Sequence, residues 1–264
     1  MPRDPASLPG LPPAYERALD EGLAVMGLNL APAARAMIGD HVRLLLAWNA
    51  AINLTAITDP EVIARRHVID SLAAVPILGS VGRLLDLGSG GGFPGLPLAA
   101  ALPSMHVTLV DSVVKKAAFL EAAVLAAGLV DRVTVRAGRG ESLARRGESL
   151  ARRGPIPGGV RPEGRAWDVV TARGVAELAE LIELAMPLLR PGGRLIAWKR
   201  GDLAAELAAA ERAATVLGAD TAILHAVGRG IPGLEGHVLV EVRKAHPTPP
   251  GYPRDPAARR RRPW

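Results

Sequence analysis

The run LLDLGSGGGFPG, residues 84–95, constrains this chain more than any other stretch. Five of its twelve residues are glycine, and they follow an apolar run carrying a single acid, Asp86. Such a run reads as a buried strand, and the glycines as a sharp turn that brings bare backbone against another group. From Gly82 onward the pattern alternates. RLLDLG, HVTLVDS, WDVVTARG and GRLIAWKRG read as strands, each followed by a helical stretch, with RVTVRAG as a further strand among them. AILHAVGR and GHVLVEVRK close the set across a short Gly/Pro connection, as an antiparallel pair does. Strand–helix alternation of this kind predicts an α/β chain with a Rossmann-like, mostly parallel seven-stranded sheet whose last pair is antiparallel.

Residues 12–80 read differently, as helices. PAYERALDEGLAVMG follows a Pro pair, APAARAMIGDHVRLLLAWNAA places apolar residues at helical spacing, and Asp59-Pro60 caps a third helix. We therefore expect an N-terminal helical subdomain over 1–80, a second domain over 81–245 and a basic Pro/Arg-rich tail over 246–264. Between the third and fourth strands the heptapeptide GESLARR occurs twice, at 140–146 and 147–153. This reads as a tandem duplication inside a surface loop, and it makes 139–165 a long basic loop in which we expect disorder.

Composition narrows the function classes. The 264 residues include no Cys, which removes disulfides, thiolate metal sites and a Cys nucleophile, and no metal is expected. No apolar run reaches the roughly 18 residues of a membrane span, and the Pro-rich start lacks an export signal, so a cytoplasmic protein is expected. The net charge of +6 is concentrated in two places. The tail from Pro250 carries five Arg against one Asp, and 139–165 carries seven Arg against three Glu. Local basicity suits contact with a polyanion at defined points. Two Phe, two Tyr and four Trp are too few for a multi-base stacking platform. No spare apolar stripe is evident, which favours a monomer.

Gly90, Gly92 and Gly95 match G-x-G-x-x-G, and Asp111 follows Gly90 by 21 residues, the layout of a dinucleotide fingerprint. Asp86 argues against that ligand, because a carboxylate beside a pyrophosphate costs Coulomb energy. S-adenosylmethionine has no phosphates, carries a sulfonium and an amino group, and tolerates a nearby acid. Asp86, Gly88, Gly90 and Gly92 therefore favour that cofactor, with Asp111 accepting its ribose hydroxyls. Five strand–helix units and a closing hairpin are also the layout of class I S-adenosylmethionine-dependent methyltransferases.

INLTAITDPEVIARRHVIDSLA, LLDLGSGGGFPGLPLA, LVDSVVKKAAFLEAA, VRAGRGESL, DVVTARGVAEL and LLRPGGRLIAWKRG follow one another in order. Over residues 40–243 this chain resembles the RsmG (GidB) family, bacterial methyltransferases of 16S ribosomal RNA. The resemblance implies S-adenosylmethionine as cofactor and 16S rRNA, the 30S subunit or its assembly intermediate as partner. It further implies methylation at N7 of a guanine in the 530 loop. Carried over by motif, Gly88 and Phe93 would contact the cofactor, Gly140 and Glu141 would hold its adenine, and Arg173 would line the transfer site. The family usually has Lys followed directly by Gly where this chain has Lys199-Arg200-Gly201, and an apolar residue where Gly140 stands.

Other candidates come from position. His67 and Asp70, at i, i+3, can share a helix face as a base and its orienting acid, or serve capping and packing. Lys199, Arg200, Arg259, Arg260, Arg261 and Arg262 are candidates for RNA phosphates, and Arg173 and Lys199 for the catalytic centre. Guanine N7 has a lone pair and no proton to lose, so direct displacement needs no general base. A methyltransferase acting on a small molecule or protein, a nucleotide-linked dehydrogenase or sensor, and a catalytically silent ribosome binder remain alternatives at this level.

Overall fold

A computed structural model describes residues 1–79, 82–140, 142–143 and 167–264. Glu141 and the duplicated stretch from 144 to 166 lie outside the described residues. Seven strands form one sheet: β1 (Arg83–Leu87), β2 (His106–Asp111), β3 (Val133–Ala137), β4 (Trp167–Arg173), β5 (Leu189–Arg200), β6 (Ile223–Ala226) and β7 (His237–Arg243). Their order is β3-β2-β1-β4-β5-β7-β6. The first five run parallel, and β7 lies antiparallel between β5 and β6. The expected fold class is the one observed. Strand order reverses between β1 and β4, and in open α/β sheets the crevice at that point takes ligands.

Period-two alternation along the strands gives the sheet two cores. Leu84, Val107, Leu109 and Val169 face one side, and Leu85, Leu87, Val110 and Val170 face the other. The second side is covered by α8 (Leu178–Ala185) and α9 (Ala204–Leu217). The first is covered by α6 (Gly95–Ala101) and α7 (Val114–Ala126), and by the N-terminal helices as well. These are α1 (Pro13–Met26), α2 (Pro32–Ile52), α3 (Pro60–Ile63), α4 (Asp70–Leu72) and α5 (Val75–Leu78). Tyr15, Leu19, Ile38, Leu45 and Ile69 from these helices share a core with Leu84 and Phe119. Asp59 accepts the Val62 N–H and so caps α3, as its position implies. Between α3 and α4 the backbone widens into a π-helical stretch, Ala64–Ile69, that carries Arg66 and His67. Such stretches are frequent at functional sites.

The glycine turn is shaped from both sides. Gly88, Gly90 and Gly92 all adopt positive φ, which costs glycine nothing and other residues a good deal. At Gly95, which opens α6, a Cβ would stand 2.3 Å from Leu109 Cδ2 and 2.8 Å from Asp86 Oδ2. Only glycine lets the helix start this close to β1 and β2. Asp86 is fully buried beneath the turn, where Oδ2 accepts the Gly95 N–H at 3.2 Å and Oδ1 accepts the Thr171 hydroxyl at 2.8 Å. From the helical side, His41 on α2 places Nε2 2.7 Å from the Gly91 carbonyl, and its ring packs at a tilt against Phe93. The turn is held between an acid under the sheet end and an imidazole from α2.

These two groups respond to pH with opposite sign. Burial raises Asp86 from 3.8 to about 6, against the pull of its Thr171 and Gly95 donors. The folded chain thus keeps a proton that the unfolded chain has released, and Asp86's contribution to stability is lost as pH rises through that window. Burial lowers His41 from 6.5 to about 4, only partly offset by its bond to the Gly91 carbonyl. Its contribution is present above 6.5 and lost as pH falls toward 4. We expect Asp86→Asn to gain on the parent chain by about 2–3 kcal/mol between pH 4 and 7.5, read from denaturant unfolding at each pH. A constant difference would show that Asp86 ionises normally. His41→Leu leaves the Gly91 carbonyl without its donor and should cost about 1–3 kcal/mol at pH 7.5.

Candidate functional site

The C-terminal ends of β1, β2, β3 and β4 open onto a cavity of about 390 Å³. Leu87 and Gly88 line it from β1, Val110 and Ser112 from β2, Gly138, Arg139 and Gly140 from the segment after β3, and Val175 and Ala176 from that after β4. A Cβ at Gly88 would lie 2.7 Å from Val175 Cγ2, so bare backbone is what lets the segment after β4 pack this close to β1. Asp111, between the lining residues Val110 and Ser112, is 5% exposed. One carboxylate oxygen accepts the Gly90 N–H at 2.9 Å and the other the Val113 N–H at 2.8 Å. A carboxylate has about four acceptor positions, so two hydroxyls can still be taken alongside those backbone donors. Glycine backbone at the end of β1 and a carboxylate at the end of β2 fit the ribose diol of a cofactor such as S-adenosylmethionine.

Gly88 and Gly140 thus line the cavity, and Gly90 is tied to Asp111, which lies between the lining residues Val110 and Ser112. Two other expected cofactor residues do not reach it with their side chains. Asp86 is sealed under the turn by Gly95 and Thr171, so it shapes the loop without facing a ligand. The Phe93 ring is 5% exposed and packs inward, 4.6 Å from the His41 ring and 4.8 Å from the His67 ring between centroids. Glu141, the expected partner of the adenine amine, lies outside the described residues.

Arg173, at the end of β4, is neither a loose surface Arg nor a cavity wall. Its guanidinium lies 5.3 Å above the Phe93 ring and donates to Asp70 Oδ2 at 3.0 Å and the Arg66 carbonyl at 3.2 Å. Asp70 is 1% exposed, and it does not orient His67. Its other oxygen meets His237 Nδ1 at 2.9 Å, and its carbonyl accepts the Trp198 indole N–H at 2.8 Å. One acid of the helical region thereby joins β4, β5 and β7. His67 turns to the Thr55 hydroxyl at 2.8 Å, and burial together with the Arg173 charge pushes its pKa down to about 4. It is a neutral ring at pH 7.

Lys199 also departs from expectation. Its ammonium donates to the Ala176 carbonyl at 2.8 Å and is bonded to Glu206, which ties β5 to the segment before α8. That leaves it a positioning role, while Arg200 beside it is exposed. The tail folds back onto α8 as well. Arg254 grips the buried carboxylate of Glu183 with Nε at 3.0 Å and Nη2 at 2.6 Å, and its N–H bonds the same group at 2.7 Å. Trp264 adds its indole N–H at 2.8 Å and lies under the Arg254 guanidinium. Burial would raise Glu183, but these donors outweigh it and leave the carboxyl below its ordinary value. The short helix α10 (Pro256–Arg261) follows, capped by Asp255. Arg259, a candidate for RNA, is instead 8% exposed and bonded to Glu180 at 2.9 Å. Arg260, Arg261 and Arg262 are exposed.

Sequence reasoning missed His41, His237 and Glu183. Each is joined to its partner across 50 or more positions, and no local spacing announces such a pair. Among the described residues no His/Cys/Asp/Glu group could hold a metal ion, and no helix is long and apolar enough to cross a membrane.

Comparison with known proteins agrees with this geometry. Two S-adenosyl-ligand complexes share the fold. The O-methyltransferase from Bacillus cereus with SAH superposes with a TM-score of 0.51 at 18% identity, over 77% of this chain and 90% of that one. The O-methyltransferase TomG from Streptomyces achromogenes with SAM does so at 0.51 and 17% identity, over 88% and 99%. Closer in sequence is the ribosomal RNA small subunit methyltransferase G of Roseiflexus castenholzii, 45% identical over 80% of this chain and 83% of that protein. Its namesake in Chloroflexus aggregans is 41% identical over 94% and 98%. The family model of GidB, rRNA small subunit methyltransferase G, matches residues 35–234. The chain belongs to the GidB family of small-subunit rRNA methyltransferases, S-adenosylmethionine-dependent enzymes built on the class I sheet.

Proposed function

We propose that this chain moves a methyl group from S-adenosylmethionine to N7 of a guanine in the 530 loop of 16S rRNA, presented by the 30S subunit or its assembly intermediate. The observation that carries the reading is the cavity at the reversal point of the sheet, lined by Gly88 and by Val110 and Ser112 on either side of Asp111, in a chain of this family. The chain works as a monomer in the cytoplasm.

Gly88 and Gly140 would hold the cofactor through backbone, Asp111 through its free acceptor positions, and Glu141 through its carboxylate. The bound cofactor supplies an electrophilic methyl on a sulfonium. The remaining work falls to this chain's residues as positioning and exclusion of water, which can be worth roughly 7–11 kcal/mol when the attack geometry is fixed. No proton must be taken from N7, so no general base is needed. His67 titrates at about 4 and Asp86 is buried under the turn. The product guanine is cationic, and the Asp70 carboxylate on Arg173 cancels a charge that would otherwise repel it. Exposed Arg200, Arg261 and Arg262 meet RNA phosphates, with the basic 139–165 loop as a further contact.

The test is methyl transfer from labelled S-adenosylmethionine to 30S subunits lacking native modification, with the product nucleoside identified by mass. The expected product is 7-methylguanosine in the 530 loop; another nucleoside, or none with cofactor still bound, sends the reading to a different acceptor. The single-turnover rate should stay flat between pH 6 and pH 8, since no base is used; a slope of one decade per unit would reveal one. Arg173→Ala leaves Asp70 buried without its guanidinium and should cost about 3–5 kcal/mol in denaturant unfolding. The triple change of Arg200, Arg261 and Arg262 to Ala should flatten the salt dependence of RNA binding by about 0.7–0.9 log units per lost contact.

A further inference from the structure

The cavity described above has a wall that does not come from the sheet. Pro256, Arg259 and Arg260 line it together with Ser112, Gly138 and Gly140. The same cavity is lined by Val110 and Ser112, which flank Asp111 in the chain, and by Glu180 and Leu184 of α8. Three observations make this a built wall. The tail is clamped by Glu183, which is fully buried and bonded to the Arg254 guanidinium, the Arg254 N–H and the Trp264 indole N–H. It is braced on itself, because Arg254 Nη1 donates to the Arg262 carbonyl at 2.9 Å and Arg259 Nη1 to the Arg254 carbonyl at 2.7 Å. Arg259 is then tied to Glu180, itself on the cavity wall. The clamp fixes the helix that carries Arg260. Arg260 is exposed on the cavity rim, and among the described residues its side chain has no partner.

We infer that the C-terminal segment 252–264 is part of the cofactor site, with Arg260 laid against the adenine ring and Arg259 holding the wall in place through Glu180. A guanidinium is planar, weakly hydrated and stacks well on aromatic faces, whereas an ammonium would not serve there equally. The assignment rests on the cofactor reading above and differs from an RNA role for the same arginines. In this arrangement the tail sorts its basic residues. Arg254 and Arg259 are structural, Arg260 faces the nucleoside, and Arg261 and Arg262 face outward.

The test measures S-adenosylhomocysteine binding by titration calorimetry, with RNA binding measured on the same samples over a salt series. Arg260→Ala should weaken S-adenosylhomocysteine by roughly 5- to 30-fold, the span of a partly desolvated cation–π contact. RNA affinity should stay within twofold and keep its salt slope, and Arg260→Lys should recover only part of the loss. A chain ending at Gly251 should lose at least as much cofactor affinity as Arg260→Ala. As a second readout, S-adenosylhomocysteine should slow tryptic cleavage after Arg260 in the intact protein. Unchanged cofactor affinity in Arg260→Ala with a reduced RNA salt slope overturns the inference and returns Arg260 to the phosphates. Unchanged values for both overturn it too, leaving Arg260 a solvated charge. A parent chain that binds no S-adenosylhomocysteine overturns the cofactor reading itself, which separates the two failures.

Discussion

One buried carboxylate ties the helical and sheet halves of this protein together. Asp70 sits where the π-helical stretch gives way to α4, and its side chain and carbonyl bond Arg173 of β4, Trp198 of β5 and His237 of β7. Removing an acid of this kind from water is costly unless charge and hydrogen bonds replace the lost hydration, and here both do. The consequence reaches the glycine turn. With the helices seated on the sheet, α2 can deliver His41 to the Gly91 carbonyl, and His41, His67 and Arg173 can enclose Phe93. The loop that edges the cavity is therefore only as firm as the helices beneath it.

Much of the fold was legible because it is written in local pattern. Alternation in RLLDL and HVTLVD reports strands with two covered faces, and the glycines report a turn whose positive φ and close helix approach the structure bears out. Gly88 and Gly140, which line the cavity, and Asp111 between its lining residues Val110 and Ser112 were legible for the same reason, since strand ends and motif spacing place them. What was not legible is what lies far apart in the chain. Glu183 reads as one acid among several on an amphipathic helix, yet it is the anchor of residues some 70 positions downstream. Lys199 and Arg259 read as free cations because their partners, Glu206 and Glu180, are set by packing rather than spacing. Asp86 pointed toward the right cofactor through an argument about facing charge, although in the fold it is fully buried under the turn. It serves the site by holding Gly95 and Thr171.

The distribution of charge follows from this arrangement. Basic residues counted as one reservoir in the sequence divide into those neutralised inside the fold and those left outside. Arg173, Arg254 and Arg259 meet carboxylates, and Arg200, Arg261 and Arg262 stay in water. A net charge of +6 thus overstates neither the core nor the surface, but it says little about which positions can touch a polyanion.

The tail's attachment carries a kinetic meaning. Among the described residues, segment 252–264 bonds Glu180 and Glu183 of α8, and no strand pairing joins it to the sheet. A wall held in that way can detach as a unit without disturbing strand register or the glycine turn. The residence time of whatever lies beneath it would then be set by how tightly the carboxylates of a neighbouring helix hold Arg254 and Arg259, rather than by the depth of the cleft.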